Sequence, residues 1–153
     1  MPYTIGKGVE LTWVSHYLHF RTMNYVNSVL LIDDNPSCNF IMSEFIKLAD
    51  ERIEVHVSES VQEALEKLND PLICFPEVIY VDLNMPVQNG FEFIEAFEQR
   101  FMITHPGSKL FMLSSSLRPE DKERALTYQS VQDFVSKNDI DTFLQKTLLR
   151  AVA

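Results

Sequence analysis

The chain reads as a doubly wound α/β domain of five βα units, and three observations predict it. From Val29 onward, short apolar runs of strand length alternate with stripes at helical spacing, the pattern of a parallel sheet covered by helices on both faces. The runs end at polar residues, such as Asp33-Asp34-Asn35-Pro36 and Asp82. With 153 residues, 46% of them hydrophobic and 23% charged, the chain can bury one sizeable core and is not disordered in composition.

The elements follow in order. Val29-Leu30-Leu31-Ile32 is a fully apolar strand ended by Asp33-Asp34-Asn35-Pro36. Ser37 is placed to cap the next helix, whose stripe is Cys38, Ile41, Met42, Phe45 and Leu48. Ile53-Glu54-Val55-His56-Val57 alternates as a second strand, and Val61, Ala64, Leu65 and Leu68 mark a second helix. Val78-Ile79-Tyr80-Val81 runs into Asp82, and Phe93, Ile94, Phe97 and Phe101 form a third helix face. Leu110-Phe111-Met112-Leu113 ends at three serines, and Pro119 with Glu120 and Asp121 opens a fourth helix. A weaker fifth strand covers residues 131–135, and Ile140, Phe143, Leu144 and Leu148 stripe the last helix. The apolar connection Leu72-Ile73-Cys74-Phe75-Pro76 is more than a minimal βα link requires.

Residues 1–27 follow no clean period and read as an N-terminal extension to a domain over 28–153. They hold two of the four glycines, and Lys7 and Arg21 against Glu10 leave them at +1, so the rest of the chain carries −10 of the total −9. They lack the continuous apolar run of a signal peptide and are expected to contribute little to the chemistry below. The acidic balance, with a pI near 4.8 and no Lys/Arg run, argues against nucleic acid as a partner, because phosphate contacts need clustered cations. No apolar stretch approaches the ~20 residues that span a bilayer, so no membrane association and a cytoplasmic location are expected. Cys38 and Cys74 have neither CxxC spacing nor a nearby His cluster and are read as reduced thiols.

Four strands stop at residues suited to phosphoryl or metal chemistry: Asp33 and Asp34, Asp82, Ser114, and Lys137. A doubly wound sheet binds ligands outside the carboxyl ends of its strands, where these residues would meet. Two unit charges at ~4 Å repel by about 4 kcal/mol at an effective dielectric of ~20. Three carboxylates in one crevice therefore call for a proton or a cation, and hard oxygen ligands suit Mg²⁺. Taken singly, each residue has an ordinary explanation: capping, a turn, a polar loop, a solvated lysine. Their joint placement at strand ends is what argues for a site.

The Asp33-Asp34 pair, the run Val81-Asp82-Leu83-Asn84-Met85-Pro86 with Gly90, the step Leu113-Ser114-Ser115, and Phe134-Val135-Ser136-Lys137 together resemble the receiver domain of two-component response regulators. The likeness runs from residue 29 to about 150 and is to single-domain, chemotaxis-regulator-like receivers, with no output domain expected after the fifth helix. It implies a flavodoxin-like (βα)5 fold with a five-stranded parallel sheet in the order 2-1-3-4-5. It implies Asp82 as the phosphoryl acceptor. Asp34, Asp82 and the Asn84 carbonyl would hold Mg²⁺, with Asp33 acting through a metal-bound water. Ser114 and Lys137 would contact phosphoryl oxygens, and the Phe134 rotamer would follow the serine hydroxyl, with the inward ring well populated before phosphorylation. A phosphohistidine kinase or phosphotransfer protein would donate the group, and a downstream protein would read the changed surface. Such a chain is not an enzyme on other substrates; it catalyses its own phosphorylation and dephosphorylation.

The family lysine is usually followed by a cis proline, whereas Asn138 follows Lys137. A trans bond is expected there, since a non-proline cis bond costs ~2.5–4 kcal/mol. A haloacid-dehalogenase-type phosphatase would want an acid where Asn84 stands, and a nucleotide-binding loop would want more glycines than Gly90 and Gly107. A receiver-like interaction module that is not phosphorylated is the remaining alternative, favoured by Asn138 but not by the retained acids.

Overall fold

The computed structural model describes residues 26–152, so the expected extension lies almost wholly outside the described residues. Five strands form one parallel sheet: β1 Ser28–Ile32, β2 Glu54–Ser58, β3 Val78–Asp82, β4 Lys109–Ser114 and β5 Val131–Ser136, in the order β2-β1-β3-β4-β5. Helices α1 Pro36–Ala49, α2 Val61–Leu68, α3 Gly90–Arg100, α4 Pro119–Ala125 and α5 Ile140–Val152 alternate with them. This is the doubly wound arrangement that the alternation of strands and helices predicts, in the flavodoxin-like strand order that the resemblance implies.

The central strands β1, β3 and β4 carry unbroken apolar runs because both their faces are buried, whereas the edge strands β2 and β5 admit Glu54, His56, Gln132 and Asp133. Leu30, Ile32, Ile79, Val81, Leu110 and Met112 point to the layer with α2, α3 and α4, where Val61, Ala64, Phe93, Phe97 and Ala125 close the core. Val29, Leu31, Val78, Tyr80 and Leu113 point the other way, against Met42 and Ile46 of α1 and Leu144 and Leu148 of α5. The period of two along each strand thus divides one hydrophobic run between two cores. The Tyr80 hydroxyl shares a buried 2.7 Å hydrogen bond with Thr147 Oγ1, tying α5 to the sheet.

Two details of α1 differ from the sequence reading. Asn35, not Ser37, caps it, accepting from the Ser37 and Cys38 amides, and Pro36 takes the first helical position. The buried face is Asn39, Met42 and Ile46, which share one side at i, i+3 and i+7. Of the expected stripe only Met42 is buried; Cys38 is half-buried, while Ile41, Phe45 and Leu48 face solvent. Hydrophobicity alone favours the side of Ile41, Phe45 and Leu48, whereas α1 turns the polar Asn39 inward to hold the loop before it.

The apolar connection before β3 has a structural explanation. Phe75 packs against Phe97 and Phe101 and stacks on the His105 ring, with centroids 3.5 Å apart. Backbone carbonyls of the same segment accept hydrogen bonds from Ser28 and Ser108 side chains. It closes the edge of the core at the strand beginnings. Both cysteines are free.

The loop from β3 to α3 holds one strained residue. Val87 has φ 67, and the Gln88 amide donates to the Pro86 carbonyl across it at 2.8 Å. A β-branched side chain in this region is unfavourable, and Val87 is fully exposed, so no packing offsets the strain. Val87→Asn should therefore stabilise the fold by about 1 kcal/mol, read as a higher urea midpoint with unchanged m-value; a lower midpoint would contradict the assignment.

Candidate functional site

Every site residue predicted from sequence lies at the carboxyl edge of the sheet. Asp33 follows β1, Asp82 ends β3, Ser114 ends β4 and Lys137 follows β5. Asp33, Asp34 and Asp82 each offer a carboxylate oxygen within 4.8 Å of the others. Asp33 and Asp82 are buried, whereas Asp34 is exposed. The Lys137 ammonium reaches across from the far side of the crevice, 2.6 Å from Asp33 Oδ2 and 3.2 Å from Asp82 Oδ1.

Backbone and side-chain bonds fix this geometry. The Asp33 amide donates to the Ser58 carbonyl of β2 at 3.1 Å. Asp33 Oδ1 accepts from the Asn35 amide at 2.9 Å, and the buried Asn39 amide group donates to the Asp33 carbonyl at 2.8 Å. Asn39 is the positioning residue that the sequence reading missed; its spacing with Met42 and Ile46 was the available signal. The Asn84 amide donates to Asp82 Oδ1 at 3.4 Å, which places Asn84 over the carboxylate. Gly90 has its own reason. A Cβ there would lie 2.6 Å from the Asp82 carbonyl oxygen, so only glycine lets α3 begin directly behind the aspartate.

Lys137 opens a short 3₁₀ turn, Lys137–Asp139, capped by Ser136 Oγ, which accepts from the Asn138 amide at 3.2 Å. No cis peptide bond occurs among the described residues, as expected with Asn138, and the lysine still reaches both carboxylates. Ser114 is buried and turned toward its own loop, donating to the Ser116 carbonyl at 2.7 Å and accepting from the Ser116 amide. Phe134 is buried in the core layer with Met112 and Val131. The face beyond is braced between helices. Arg124 of α4 lies 4.0 Å from the Phe91 ring centroid, and both Arg124 and Tyr128 bond to Glu95 of α3.

Burial dominates the electrostatics of Asp82. Removal from water, opposed by the Lys137 charge and reinforced by Asp33, pushes its carboxyl up to about 6. Burial also works against the Lys137 ammonium, but its bonds to Asp33 and the Asp82 charge outweigh that and hold its pKa above the ordinary value. Burial followed by the Asp33 charge raises the Cys38 thiol, which places it as an inert neighbour of the acidic group.

Fold and site together define a doubly wound α/β protein with an acidic, lysine-bridged crevice at the carboxyl edge of its sheet. Residues 29–148 match the response regulator receiver domain, and the chain belongs to that family. Among solved structures it is similar to a two component response regulator from Cytophaga hutchinsonii, with 34% identity and a TM-score of 0.70 over 82% of this chain and 98% of that one. It is also similar to the chemotaxis response regulator CheY4 of Vibrio cholerae, with 30% identity and a TM-score of 0.67 over 82% and 98%. A protein-glutamate methylesterase/protein-glutamine glutaminase of Geobacillus kaustophilus (strain HTA426) is 28% identical over 109 residues, 71% of this chain. The matched region spans 29% of that relative's length. No helix among the described residues is long and apolar enough to cross a membrane.

The raised Asp82 pKa has a signed consequence in metal-free protein. Between about pH 4 and about pH 6 the folded state keeps a proton on Asp82 that the unfolded chain has lost, so stability falls as pH rises through this window. The ionised, buried carboxylate then costs on the order of 2–3 kcal/mol above it. Denaturation in chelator should show the wild type losing stability relative to Asp82→Asn across that window and levelling beyond it. A gap that is flat in pH would contradict the burial argument.

Proposed function

We propose that the chain is a phosphoacceptor of two-component signalling in the cytoplasm, taking a phosphoryl group from the phosphohistidine of a histidine kinase or histidine phosphotransfer protein onto Asp82. The observation that carries this reading is the convergence of Asp33, Asp34 and Asp82 in one crevice, with Lys137 bridging the two buried carboxylates. The donor set is hard oxygen with an unbalanced negative charge, which fits Mg²⁺. Asp34, Asp82 and the Asn84 carbonyl would hold the ion and Asp33 would reach it through water. Bound there, Mg²⁺ supplies charge neutralisation for the transferring oxygens.

An Asp82 carboxylate oxygen attacks phosphorus, the phosphorus–nitrogen bond breaks, and its electron pair stays on the imidazole. Phosphoryl transfer needs in-line placement and neutralised equatorial oxygens more than it needs acid or base. Lys137 stays protonated and moves from pairing carboxylates to pairing a phosphoryl oxygen. The Ser114 hydroxyl leaves the Ser116 carbonyl to donate to another. Hydrolysis of the acyl phosphate by water returns the free carboxylate, so the chain catalyses its own loading and release.

Withdrawal of Ser114 from its loop bond would leave the Phe134 ring fixed inward. This biases the β4–α4 loop and the face around Arg118, Glu120, Lys122 and Glu123 toward a second arrangement that a downstream protein reads. Asn138 favours the other reading, a module that is never phosphorylated. The contacts Lys137 makes without a following proline weigh against it.

With acetyl phosphate and Mg²⁺, intact mass should rise by one phosphate in the wild type and not in Asp82→Asn. Mg²⁺ alone should stabilise the wild type by about 1 kcal/mol at roughly fivefold above Kd, and Asp34→Ala should blunt that gain. An equal mass gain in Asp82→Asn, or a melting temperature indifferent to Mg²⁺, would overturn the assignment.

A further inference from the structure

We infer that the Ser136 hydroxyl is a positioning group for Lys137: by holding the Asn138 amide it fixes the backbone on both sides of the lysine. The inference deepens the reading of the crevice as a phosphoryl site and, for its part in the transfer, rests on that reading.

Lys137 is the first residue beyond β5, and its ammonium crosses the crevice to meet Asp33 at 2.6 Å and Asp82 at 3.2 Å. A lysine carries its charge on a long, flexible and strongly hydrated side chain, so the side chain does not select that place unaided. The backbone has to aim it. On one side of the lysine, Ser136 is the last residue of β5, buried and paired in register with Ser114 of β4. On the other side, the Asn138 amide donates to Ser136 Oγ at 3.2 Å, and Lys137–Asp139 wind into the 3₁₀ turn. Lys137 is therefore enclosed between a strand end anchored by the sheet and an amide anchored by that strand end.

The bond needs a backbone N–H at position 138, which Asn138 has and a proline lacks. Asn138 and Asp139 are both exposed, so burial does not hold these two residues in place. The Ser136 hydroxyl supplies the hold that burial does not. An ordinary hydrogen bond is worth up to about tenfold in an equilibrium, which sets the size of the effect expected when this one is removed.

Two measurements on the full chain separate this inference from the phosphorylation reading. In metal-free protein with isotope-labelled lysine, the Lys137 ammonium should give a slowly exchanging nuclear magnetic resonance signal, assigned by its disappearance in Lys137→Ala. Ser136→Ala should lose that signal together with the exchange protection of the Asn138 amide. Ser136→Thr, which keeps the hydroxyl, should retain both, and the β5 amides should not move in either variant. With acetyl phosphate and Mg²⁺, Ser136→Ala should gain phosphate about tenfold more slowly than wild type. Its response to Mg²⁺ alone should be unchanged, because the proposed metal donors follow β1 and end β3. In a Lys137→Ala background the same substitution should change the rate no further. If wild-type protein takes no phosphate, the phosphorylation reading falls and the ammonium signal still decides the positioning. The inference is overturned by a Lys137 signal absent from wild type or unaltered in Ser136→Ala, by no recovery in Ser136→Thr, by disturbance spread through β5, or by losses that add in the double variant.

Discussion

Three carboxylates and one ammonium share the carboxyl edge of the sheet, and the rest of the site is arranged around that imbalance. Lys137 lies within 3.2 Å of both buried aspartates and so offsets part of a repulsion that would otherwise be several kcal/mol per pair. It cannot offset all of it. Asp82 remains buried enough that its carboxyl is pushed up to about 6. A site in this condition gains from any added positive charge, and the lysine is already placed to exchange one anionic partner for another. In the proposed function a cation bound among the carboxylates would make the same crevice receptive to a dianionic group.

The fold supplies the precision that this balance requires. β2 holds the Asp33 amide, Asn39 holds its carbonyl, and α3 starts so close behind Asp82 that only Gly90 fits. These contacts come from three different elements, so the acids cannot drift apart as the charge state changes. Ser114 differs. Its hydroxyl is satisfied only within its own loop, and it can change partner without breaking a core contact. In the proposed function the half held by several elements binds the transferred group, and Ser114, bonded within its own loop, reports it.

Much of this was legible in the residues. Strands buried on both faces show as unbroken apolar runs, which is why β1, β3 and β4 were plain, and the residues that end them gave the site. What stayed hidden depended on direction rather than composition. The α1 stripe was read toward its large apolar side chains because nothing in a single sequence reveals that Asn39 must turn inward to hold a backbone carbonyl. The cap lies two residues before Ser37, itself a good capping residue, because Pro36 already fits the first helical position and leaves the cap to Asn35. The connection ending at Pro76 gave no period at all; its purpose, closing the core edge with Phe75 against His105, exists only in three dimensions. The reach of Lys137 without a following proline was likewise a matter of geometry.

The central claim is that the group formed at this site is an acyl phosphate on one carboxylate. Borohydride reduces an acyl phosphate to the alcohol and leaves ordinary carboxylates untouched, so it converts the acceptor aspartate into homoserine. Protein treated with acetyl phosphate and Mg²⁺, reduced, digested and sequenced by mass spectrometry should carry homoserine at position 82 and aspartate at 33 and 34. Homoserine at another position, or aspartate throughout in protein whose intact mass had risen, would contradict the account.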